Sequence, residues 1–535
     1  MKKQIILIIA VLIANSVNAQ WQWAKQIGGS DSDGGGICLD ASNNVYVGGN
    51  MGSNCYLDND TLYANGFNDL FLAKYDNAGN ELWSKNFGGT NTFNNMEYGG
   101  VIAVDNANNC LYYTGNYFGS LTIDAFTISS LGGLDIFIAK FDLSGNCQWL
   151  KKAGSALDDS PSAATLDANG NIYWTGELAS NGTFDSYSLS KGVFLSKIDP
   201  AGNTLWAHNQ FTGGSPAQLF INGNEILMSG YTNNDTLTID TAILISNNNI
   251  DCFLAKTDLN GSVLSAKRFG GNLFQYALDF ETDANGNIFL IGAFEDSLVV
   301  DAFTLSNNGK YDFFFAKFDS NFNAIWIQQS HATGSAGAKS NSLVKDIDGM
   351  FYVAGQFSGN ASFGSFNTST ANSSDFFIAR YDDTGNCIGV RHFGFAVAAR
   401  SEIDSNGDII VSGTFANTVN IGSTSLTSHG GSDMFFAKAD EITGIGGREA
   451  NPNNQLIIYA NPNAGKCNIT VPDDFVNENN LTLSIYDNTG KLIQQKILEM
   501  NDGKIKVSLE QEAKGIYNVT LANKKKSYSG KIVFE

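Results

Sequence analysis

Histidine, basic residues and proline are scarce in this sequence. Its 535 residues include four His and six Pro, and 32 Lys and Arg stand against 53 Asp and Glu, which gives a net charge of −21. Nucleic acids and anionic membrane surfaces bind to basic patches, so this charge balance excludes nucleic acid as a partner. The histidines fall in different segments, which predicts neither a metal centre nor a catalytic triad: His208, His331, His392 and His429.

Catalytic motifs are absent as well. The sequence has no G-x-S-x-G elbow, no H-E-x-x-H motif and no P-loop. It therefore predicts no catalytic residue and no cofactor-binding residue.

Long apolar runs are missing except at the N-terminus. Lys2 and Lys3 precede an apolar run over residues 5–14, and residues 17–19 are suited to cleavage because they end in small side chains. The run is far shorter than the roughly 20 residues of a membrane span. We expect residues 1–19 to be a signal peptide, with no transmembrane segment in the mature chain.

Cysteine occurs seven times, an odd number that does not indicate a disulfide framework in an exported chain. Cys252 occupies an apolar position of a repeated strand and is predicted to lie in the core. Cys38 and Cys55 remain candidates for pairing, because sequence alone does not decide it.

One sequence motif of the form D-x-F-x-A-K recurs along the chain, at a spacing of about sixty residues. The seven copies are DLFLAK (69–74), DIFIAK (135–140), GVFLSK (192–197), DCFLAK (251–256), DFFFAK (312–317), DFFIAR (375–380) and DMFFAK (433–438). Each is preceded by a second apolar strand, such as VYVGG or IYWTG, and by turns rich in Asn and Gly that suit tight hairpins. Four antiparallel strands with two apolar faces predict a propeller blade.

A fourth strand, of the type QWLKKAG, follows six copies but not the seventh. The missing strand matches the segment WQWAKQIGG at residues 21–29, which contains Trp21 and Trp23. We therefore predict an all-β fold, a seven-bladed β-propeller over residues 20–441, whose last blade is completed by this N-terminal strand. Closure of the ring removes the unpaired edges of an open array.

The pattern D-x-F-[IL]-A-K-[FY]-D-x-x-G-N-x-x-W, followed by Gly-Gly, resembles the SBBP propeller repeats of bacterial surface proteins. Blade three departs from it at Gly192 and Ser196, and blade five lacks the turn glycine. The resemblance implies the fold and says little about function, because one fold hosts many functions.

After a linker at residues 442–455, residues 456–535 alternate apolar residues with Asn and Gly turns, which predicts a small β-sandwich. This segment resembles the C-terminal sorting domain of the type IX (Por) secretion system of Bacteroidetes. The resemblance implies the type IX machinery as a partner, and secretion or attachment to the outer cell surface. It rests on Asn461, Pro462, Gly465, Lys466, Gly490, Lys491, Gly515, Tyr517 and Lys531.

Two pairs of acidic residues are candidate ligands for calcium. Asp31 with Asp33 and Asp158 with Asp159 lie in predicted loops that lead into inner strands, where carboxylates suit a hard cation. Solvated loop carboxylates are the alternative interpretation. The Lys that ends most copies of the repeat is predicted to form a structural salt bridge between blades with a repeated Asp.

The sequence thus predicts a secreted or cell-surface, monomeric and non-enzymatic binding or adhesion module, whose partner is a polysaccharide or a surface protein. Two alternatives stay open, a glycan lyase or hydrolase and a structural surface-layer component. A binding module should expose aromatic side chains on a rim. An enzyme should interrupt the repeat with acidic and aromatic residues at one end of the channel, and a structural protein should show neither.

Overall fold

The structure is a computed structural model of the whole chain, which divides into two compact parts, Met1–Ile442 and Thr443–Glu535. None of the described residues lies in an α-helix, and none of them forms a helix long and apolar enough to cross a membrane. The described residues are 21–29, 34–52, 54–65, 68–89, 96–232, 236–239, 242–245, 250–307, 310–394, 396–440, 456–459, 465–471, 475, 481–487, 491–498, 504–522 and 527–534.

The first part consists of seven units of four antiparallel strands, and the strands of each unit are numbered first to fourth in the order of their pairing. Units 1 to 3 are β2 (Gly34–Leu39), β3 (Val45–Met51), β6 (Asp69–Tyr75) and β7 (Glu81–Phe87); β8 (Met96–Asp105), β9 (Cys110–Phe118), β12 (Asp135–Asp142) and β13 (Cys147–Gly154); and β14 (Ser160–Leu166), β15 (Ile172–Leu178), β18 (Gly192–Ile198) and β19 (Thr204–Thr212).

Units 4 to 7 follow the same order. They are β20 (Gly214–Asn222), β21 (Glu225–Thr232), β24 (Cys252–Asp258) and β25 (Val263–Phe269); β26 (Gln275–Thr282), β27 (Ile288–Phe294), β30 (Asp312–Phe318) and β31 (Ala324–Ala332); β32 (Ala338–Lys345), β33 (Phe351–Phe357), β36 (Asp375–Tyr381) and β37 (Cys387–Gly394); and β38 (Ala396–Ile403), β39 (Ile409–Phe415), β42 (Asp433–Ala439) and β1 (Trp21–Gly29).

The first strands contact one another in a closed cycle, β2 to β8, β14, β20, β26, β32 and β38, and β38 contacts β2 again. Hydrophobic clusters fill the spaces between neighbouring units, which explains why both faces of each sheet are apolar. Sheets arranged radially around a common channel make this part a β-propeller.

Unit 7 takes its fourth strand from the start of the chain. Strand β1 pairs antiparallel with β42, with Trp23 opposite Lys438 and Ile27 opposite Met434. Trp21 and Trp23 are half-buried. Trp21 packs on Phe393 of unit 6, with ring centroids 5.4 Å apart.

A hairpin between the second and third strands of each unit adds a contact that the sequence did not predict. The hairpins are β4–β5 (Asn54–Tyr56, Thr61–Tyr63), β10–β11 (Ser120–Ile123, Phe126–Ser129), β16–β17 (Gly182–Phe184, Tyr187–Leu189), β22–β23 (Thr236–Ile239, Ala242–Ile245), β28–β29 (Ser297–Val300, Phe303–Ser306), β34–β35 (Asn360–Phe363, Phe366–Ser369) and β40–β41 (Thr418–Ile421, Thr424–Thr427).

Several hairpins pair with the fourth strand of the preceding unit: β4 with β1, β16 with β13, β22 with β19 and β34 with β31. Each such hairpin occupies the edge that the fourth strand would otherwise expose. The units are therefore joined by backbone hydrogen bonds as well as by their cores.

Tryptophan side chains lie over the turns of neighbouring units. Each turn joins the third and fourth strands, and its glycine has a positive φ, as at Gly79 (80°). A Cβ at Gly79 would lie 2.9 Å from Trp23 Cδ2, so glycine is required both by the backbone and by the indole. The same arrangement joins Trp83 to Gly145, Trp149 to Gly202, Trp206 to Gly261 and Trp326 to Gly385.

At the interface between units 4 and 5, both the tryptophan and the turn glycine are replaced by other residues. Ser265 stands at the tryptophan position, and Phe322 stands at the glycine position with φ of 66° and a buried side chain. The Lys267 ammonium donates to the Phe322 carbonyl over 2.7 Å, as Lys85 donates to Gly145. The phenyl ring thus supplies from the turn the apolar surface that an indole supplies elsewhere from the strand.

The repeated lysines do not form the predicted salt bridge between units. Lys438 pairs instead with Asp404 of its own unit at 2.6 Å, and both side chains are buried. The carboxylate that follows the first strand of a unit lies near the lysine on the third strand of the same unit. This carboxylate is therefore a nearer partner for the lysine than a carboxylate of the next unit. The contact with the next unit is a hydrogen bond, from Lys140 to the Pro200 carbonyl over 2.7 Å, for example.

The cysteines are free among the described residues, which include all seven. Cys38 and Cys55 are both buried and unbonded, so the candidate disulfide is not formed. Cys252 is fully buried, at the core position predicted for it.

The second part contains two antiparallel sheets. One is ordered β43 (Ile457–Tyr459), β44 (Lys466–Thr470) and β47 (Lys504–Ser508), and the other β46 (Leu492–Leu498), β45 (Leu481–Tyr486), β48 (Gly515–Ala522) and β49 (Ser527–Phe534). Side chains from both sheets form one hydrophobic cluster that includes Ile469, Val507, Ile485, Val519 and Ile532.

Deletion of residues 21–29 should destabilise the propeller strongly. The deletion exposes the edge of β42 and removes Ile27, which is fully buried. We expect aggregation, or a loss in the free energy of unfolding of more than about 3 kcal/mol. Thermal and chemical denaturation measure the loss, with the exposed Gln22→Ala as the control. An unchanged melting temperature would contradict ring closure by β1.

The Ser265 and Phe322 pair should show strong energetic coupling. Phe322→Gly alone leaves a cavity and should cost about 2–4 kcal/mol. Ser265→Trp alone overpacks the interface and should cost about 1–3 kcal/mol. The double variant recreates the arrangement of the other units and should recover most of the loss. Chemical denaturation of the wild type, the two single variants and the double variant measures the coupling energy. Purely additive losses of stability would refute the interpretation that Phe322 takes the place of the missing indole.

Candidate functional site

The two ends of the propeller axis differ in construction. Tight turns lie at one end, and the hairpins and the loops between units lie at the other, because the strands of a unit alternate in direction. At this second end, Tyr231, Tyr276 and Tyr311 of units 4 and 5 lie together, and we name them the tyrosine cluster. All three are partly exposed.

The rings of the tyrosine cluster are fixed by one another. The Tyr231 and Tyr276 centroids are 5.0 Å apart at an interplanar angle of 77°. Burial raises the pKa of Tyr311, and the neighbouring Tyr276 and Glu295 raise it further, while Lys339 Nζ lies 3.9 Å from the centroid of the Tyr311 ring. Aromatic faces and hydrogen-bonding groups therefore alternate along this edge.

Charged groups on both sides complete the edge. Ser215 Oγ donates to Glu177 Oε2 over 3.0 Å beside Tyr231. Burial and then the charge of Glu177 raise the pKa of Tyr231. Burial lowers the pKa of Lys339, and Lys310 lowers it further, while Glu295 acts in the opposite direction. The edge thus offers carboxylates, an ammonium group and phenols within one surface.

The tyrosine cluster departs from the repeat. The positions that correspond to Tyr276 hold Gly34, Tyr98, Ser160, Ser215, Lys339 and Val397, and those that correspond to Tyr231 hold Asn50, Asn116, Glu177, Ala293, Gln356 and Thr414. The fold accepts small, polar or charged residues there, so it does not require tyrosine at either position.

A second departure from the repeat lies farther along the first strands. Glu281 and Glu402 occupy positions that hold Cys38, Ala103, Thr165, Phe220 and Val344 in the other units. Burial, followed by the charges of Asp279 and Glu402, raises the pKa of Glu281 to about 8. Burial raises the pKa of Glu402 to about 7. Shifts of this kind occur in catalytic carboxyls and also in structural networks.

Asp279 is part of such a network. Its carboxylate accepts hydrogen bonds from Gln218 of unit 4 and from the Leu343 amide of unit 6, each over 2.9 Å. The buried carboxylate therefore joins three units. Sequence reasoning missed these acidic residues, although the appearance of Asp and Glu in otherwise apolar strands was a signal for them.

The described calcium candidates, Asp158 and Asp159, accept hydrogen bonds from neighbouring groups of the chain. Asp158 accepts a hydrogen bond from the Leu134 amide over 2.9 Å. Asp159 is buried rather than solvated, and it accepts hydrogen bonds from Ser155 and from the Ala179 amide. No group of three metal-ligating side chains occurs among the described residues. Asp31 and Asp33 lie outside the described residues.

The described residues of the sorting motif lie in β44, β48 and β49 and in the turns beside the strands. Lys466 begins β44 and pairs with Glu510 at 2.9 Å, and the Lys491 amide donates to Asp487. Gly515 begins β48, where the Tyr517 hydroxyl donates to the Ala513 carbonyl over 2.5 Å. Gly465 has φ of 92°, and Lys531 pairs with Asn518 across β48 and β49. Asn461, Pro462 and Gly490 lie outside the described residues.

Residues 457–535 match the family model described as a secretion system C-terminal sorting domain. This match is specific to the second part of the chain. The protein is exported by type IX secretion to the cell surface or the extracellular space. The sorting domain accordingly makes the type IX machinery a partner of this chain.

Two curated proteins resemble longer stretches of the chain. The uncharacterized WD repeat-containing protein L264 of Acanthamoeba polyphaga mimivirus is 26% identical over 517 residues, which cover 75% of this chain and 36% of that protein. The regulatory protein FlaEY of Caulobacter vibrioides is 25% identical over 253 residues, which cover 42% of this chain and 26% of that protein. The chain thus spans little more than a third of the first relative and about a quarter of the second.

Solved structures resemble the chain at low identity. The quinohemoprotein alcohol dehydrogenase of Comamonas testosteroni has a TM-score of 0.37 at 11% identity, with coverage of 82% of this chain and 78% of that one. The Dos1 propeller has a TM-score of 0.37 at 10% identity, with coverage of 81% and 97%. Semaphorin 2a of Drosophila has a TM-score of 0.36 at 8% identity, with coverage of 97% and 98%. Such likenesses carry no inference about activity.

Truncation after Ala450 should leave a folded propeller that is not exported. The two parts have separate hydrophobic clusters, so the propeller should keep its melting temperature without the sorting domain. Cell fractionation should find the truncated protein in the periplasm and the full chain outside.

Residues 445–535 fused to a periplasmic reporter, in a host with type IX machinery, should carry the reporter outside. Normal surface levels of the truncated protein would contradict the sorting role.

Proposed function

We propose that the protein is a secreted, non-enzymatic binding module that holds a polysaccharide at the tyrosine cluster. In this proposal the first part is a monomeric seven-bladed propeller over residues 20–441, of the SBBP type. The second part is a small β-sandwich over residues 456–535 that serves delivery. A signal peptide at residues 1–19 takes the chain across the inner membrane.

One observation carries the proposal: Tyr231, Tyr276 and Tyr311 form a partly exposed aromatic edge, at positions where the other units, apart from Tyr98 of unit 2, have no tyrosine. Tyrosine offers a flat apolar face together with a hydroxyl, at a low cost in conformational entropy. The apolar face of a sugar ring suits such a surface. Glu177, Glu295 and Lys339 provide hydrogen-bond partners for the sugar hydroxyls at its edges.

An enzyme is the second candidate, and Glu281 and Glu402 favour it because their pKa values lie near neutrality. However, Tyr276 and Glu281 are five residues apart on one strand, which separates them by about 16 Å along the channel. A general acid must lie within hydrogen-bonding reach of the bond that it protonates. A sugar bound at the tyrosine cluster would not meet that requirement.

Substitution of the tyrosine cluster by residues from other units tests the proposal. Tyr276→Ser and Tyr231→Asn introduce side chains that the repeat already contains, so folding should be retained. We expect affinity for a polysaccharide identified on a glycan array to fall at least about 10-fold, because partly buried aromatic side chains dominate binding energies. Titration calorimetry measures the loss.

Leu264→Gln is the matched control, since Leu264 is an exposed apolar residue on a fourth strand of unit 4. Unchanged affinity in both tyrosine variants would reject the tyrosine cluster as the binding site. Release of reducing ends by the wild type, abolished in Glu281→Gln, would instead establish the enzyme.

A further inference from the structure

The junction of units 7 and 1 carries a second aromatic surface, on the outer side of the propeller. Strand β1 lies between β42 of unit 7 and the hairpin β4–β5 of unit 1. This arrangement brings Tyr56 from the hairpin beside His429 from the loop before β42. We name the hollow around these two side chains the seam groove.

Tyr56 and His429 form one accessible platform. Their ring centroids are 5.0 Å apart, and the planes are inclined by only 35°. Tyr56 is 41% exposed, and the His429 side chain is 44% exposed. At this separation and inclination the two rings are tilted and partly stacked, and each keeps part of its surface open to solvent.

The imidazole is held in place from beneath. His429 Nδ1 lies 2.9 Å from Oδ2 of the fully buried Asp433, and Gln26 Nε2 approaches both groups, at 2.9 and 2.5 Å. These contacts engage Nδ1 and direct Nε2 away from the propeller. The ring therefore keeps its orientation without a ligand, which lowers the entropic cost of binding.

Neither ring is required by the repeat. The positions that correspond to Tyr56 hold short side chains in the hairpins that pair in the same way, namely Thr183, Thr238 and Ser362. The position of His429, four residues before the Asp that begins the third strand, holds Asn65, Leu131 and Ala371 in other units. Two separate departures from the repeat thus meet at one junction.

Polar groups surround the platform. Lys25 and Asp58 form an ion pair at 2.5 Å on the wall of the seam groove, which has a volume of about 370 Å³. A second hollow of about 450 Å³ continues past Asp58 to Asp60 and to Tyr63, which is 64% exposed. The Lys25 charge is neutralised by Asp58, which leaves Asp60 as the uncompensated charge in the lining of the two hollows.

We propose that the seam groove binds a neutral oligosaccharide, with one sugar ring packed on Tyr56 and His429 and its hydroxyls hydrogen-bonded to Asp58, Lys25 and His429 Nε2. A lining with no excess positive charge, next to the carboxylate of Asp60, disfavours anionic sugars and nucleic acid. The shallow hollow and the exposed rings suit a ligand with one apolar face and a polar edge. This site stands apart from the tyrosine cluster and does not depend on it.

Affinity electrophoresis tests the seam groove. The full chain runs through native gels that each contain one polysaccharide: hydroxyethylcellulose, xyloglucan, galactomannan, laminarin or dextran as neutral probes, and polygalacturonate as the anionic probe. We expect retardation in at least one neutral gel and none with polygalacturonate. Tyr56→Thr, which installs the residue of two of the other hairpins, should reduce the apparent affinity at least about 10-fold.

Two further variants separate this site from the tyrosine cluster. Thr238→Val, at the corresponding position of another hairpin, should keep the wild-type retardation and shows that hairpin substitutions as such are harmless. The comparison is repeated in the Tyr276→Ser background, which removes the tyrosine cluster, and there Tyr56→Thr should lower the remaining apparent affinity at least about 10-fold. Retardation in no neutral gel, or equal retardation of Tyr276→Ser with and without Tyr56→Thr, would overturn the proposal. Complete loss of retardation in Tyr276→Ser would overturn it as well and would support the tyrosine cluster.

Discussion

The contact between an indole and the turn of the next unit sets the geometry of five of the interfaces between units. Trp83 on Gly145 is one example, where a Cβ would lie 2.8 Å from the indole. The turn carboxylate Asp142 accepts hydrogen bonds from Ser144 and Asn146, so the surface under the ring is rigid. A rigid surface under a large apolar group fixes the angle between neighbouring sheets, and a fixed angle repeated around the ring allows it to close.

The interface between units 4 and 5 shows that volume matters more than residue type. Phe322 keeps the left-handed backbone of a glycine and fills the interface from the opposite side, while Ser265 takes the place of the indole. A non-glycine residue at positive φ carries a conformational cost, which the buried phenyl ring offsets. The hairpins also make the interfaces less dependent on residue type. They join neighbouring units through backbone hydrogen bonds, which tolerate almost any side chain.

The repeated strands could be predicted because each carries the same apolar pattern, and the position of β1 could be predicted because one strand was missing from the seventh copy. The partner of Lys438 could not be predicted from the sequence. The choice between Asp404 and a carboxylate of the next unit depends on the distance of each from the ammonium group, which only the structure gives. The hairpin pairing was missed because its hydrogen bonds join backbone groups and leave no residue signature. The tyrosine cluster and the seam groove were missed because each combines residues from two or more units, which only the closed ring brings together.

Sevenfold repetition also supplies an internal reference that a single-copy fold lacks. A side chain that the architecture needs must be present in most units, as the turn aspartates are, or must be replaced by a compensating change such as Phe322. Tyr56, Tyr231 and His429 do not meet the first condition, because other units hold short, polar or apolar residues at these positions. Because all three remain partly exposed, burial does not account for them either. Contact with a ligand outside the chain is the role that we propose for these side chains, and delivery beyond the cell by the sorting domain places these surfaces where such a contact is available.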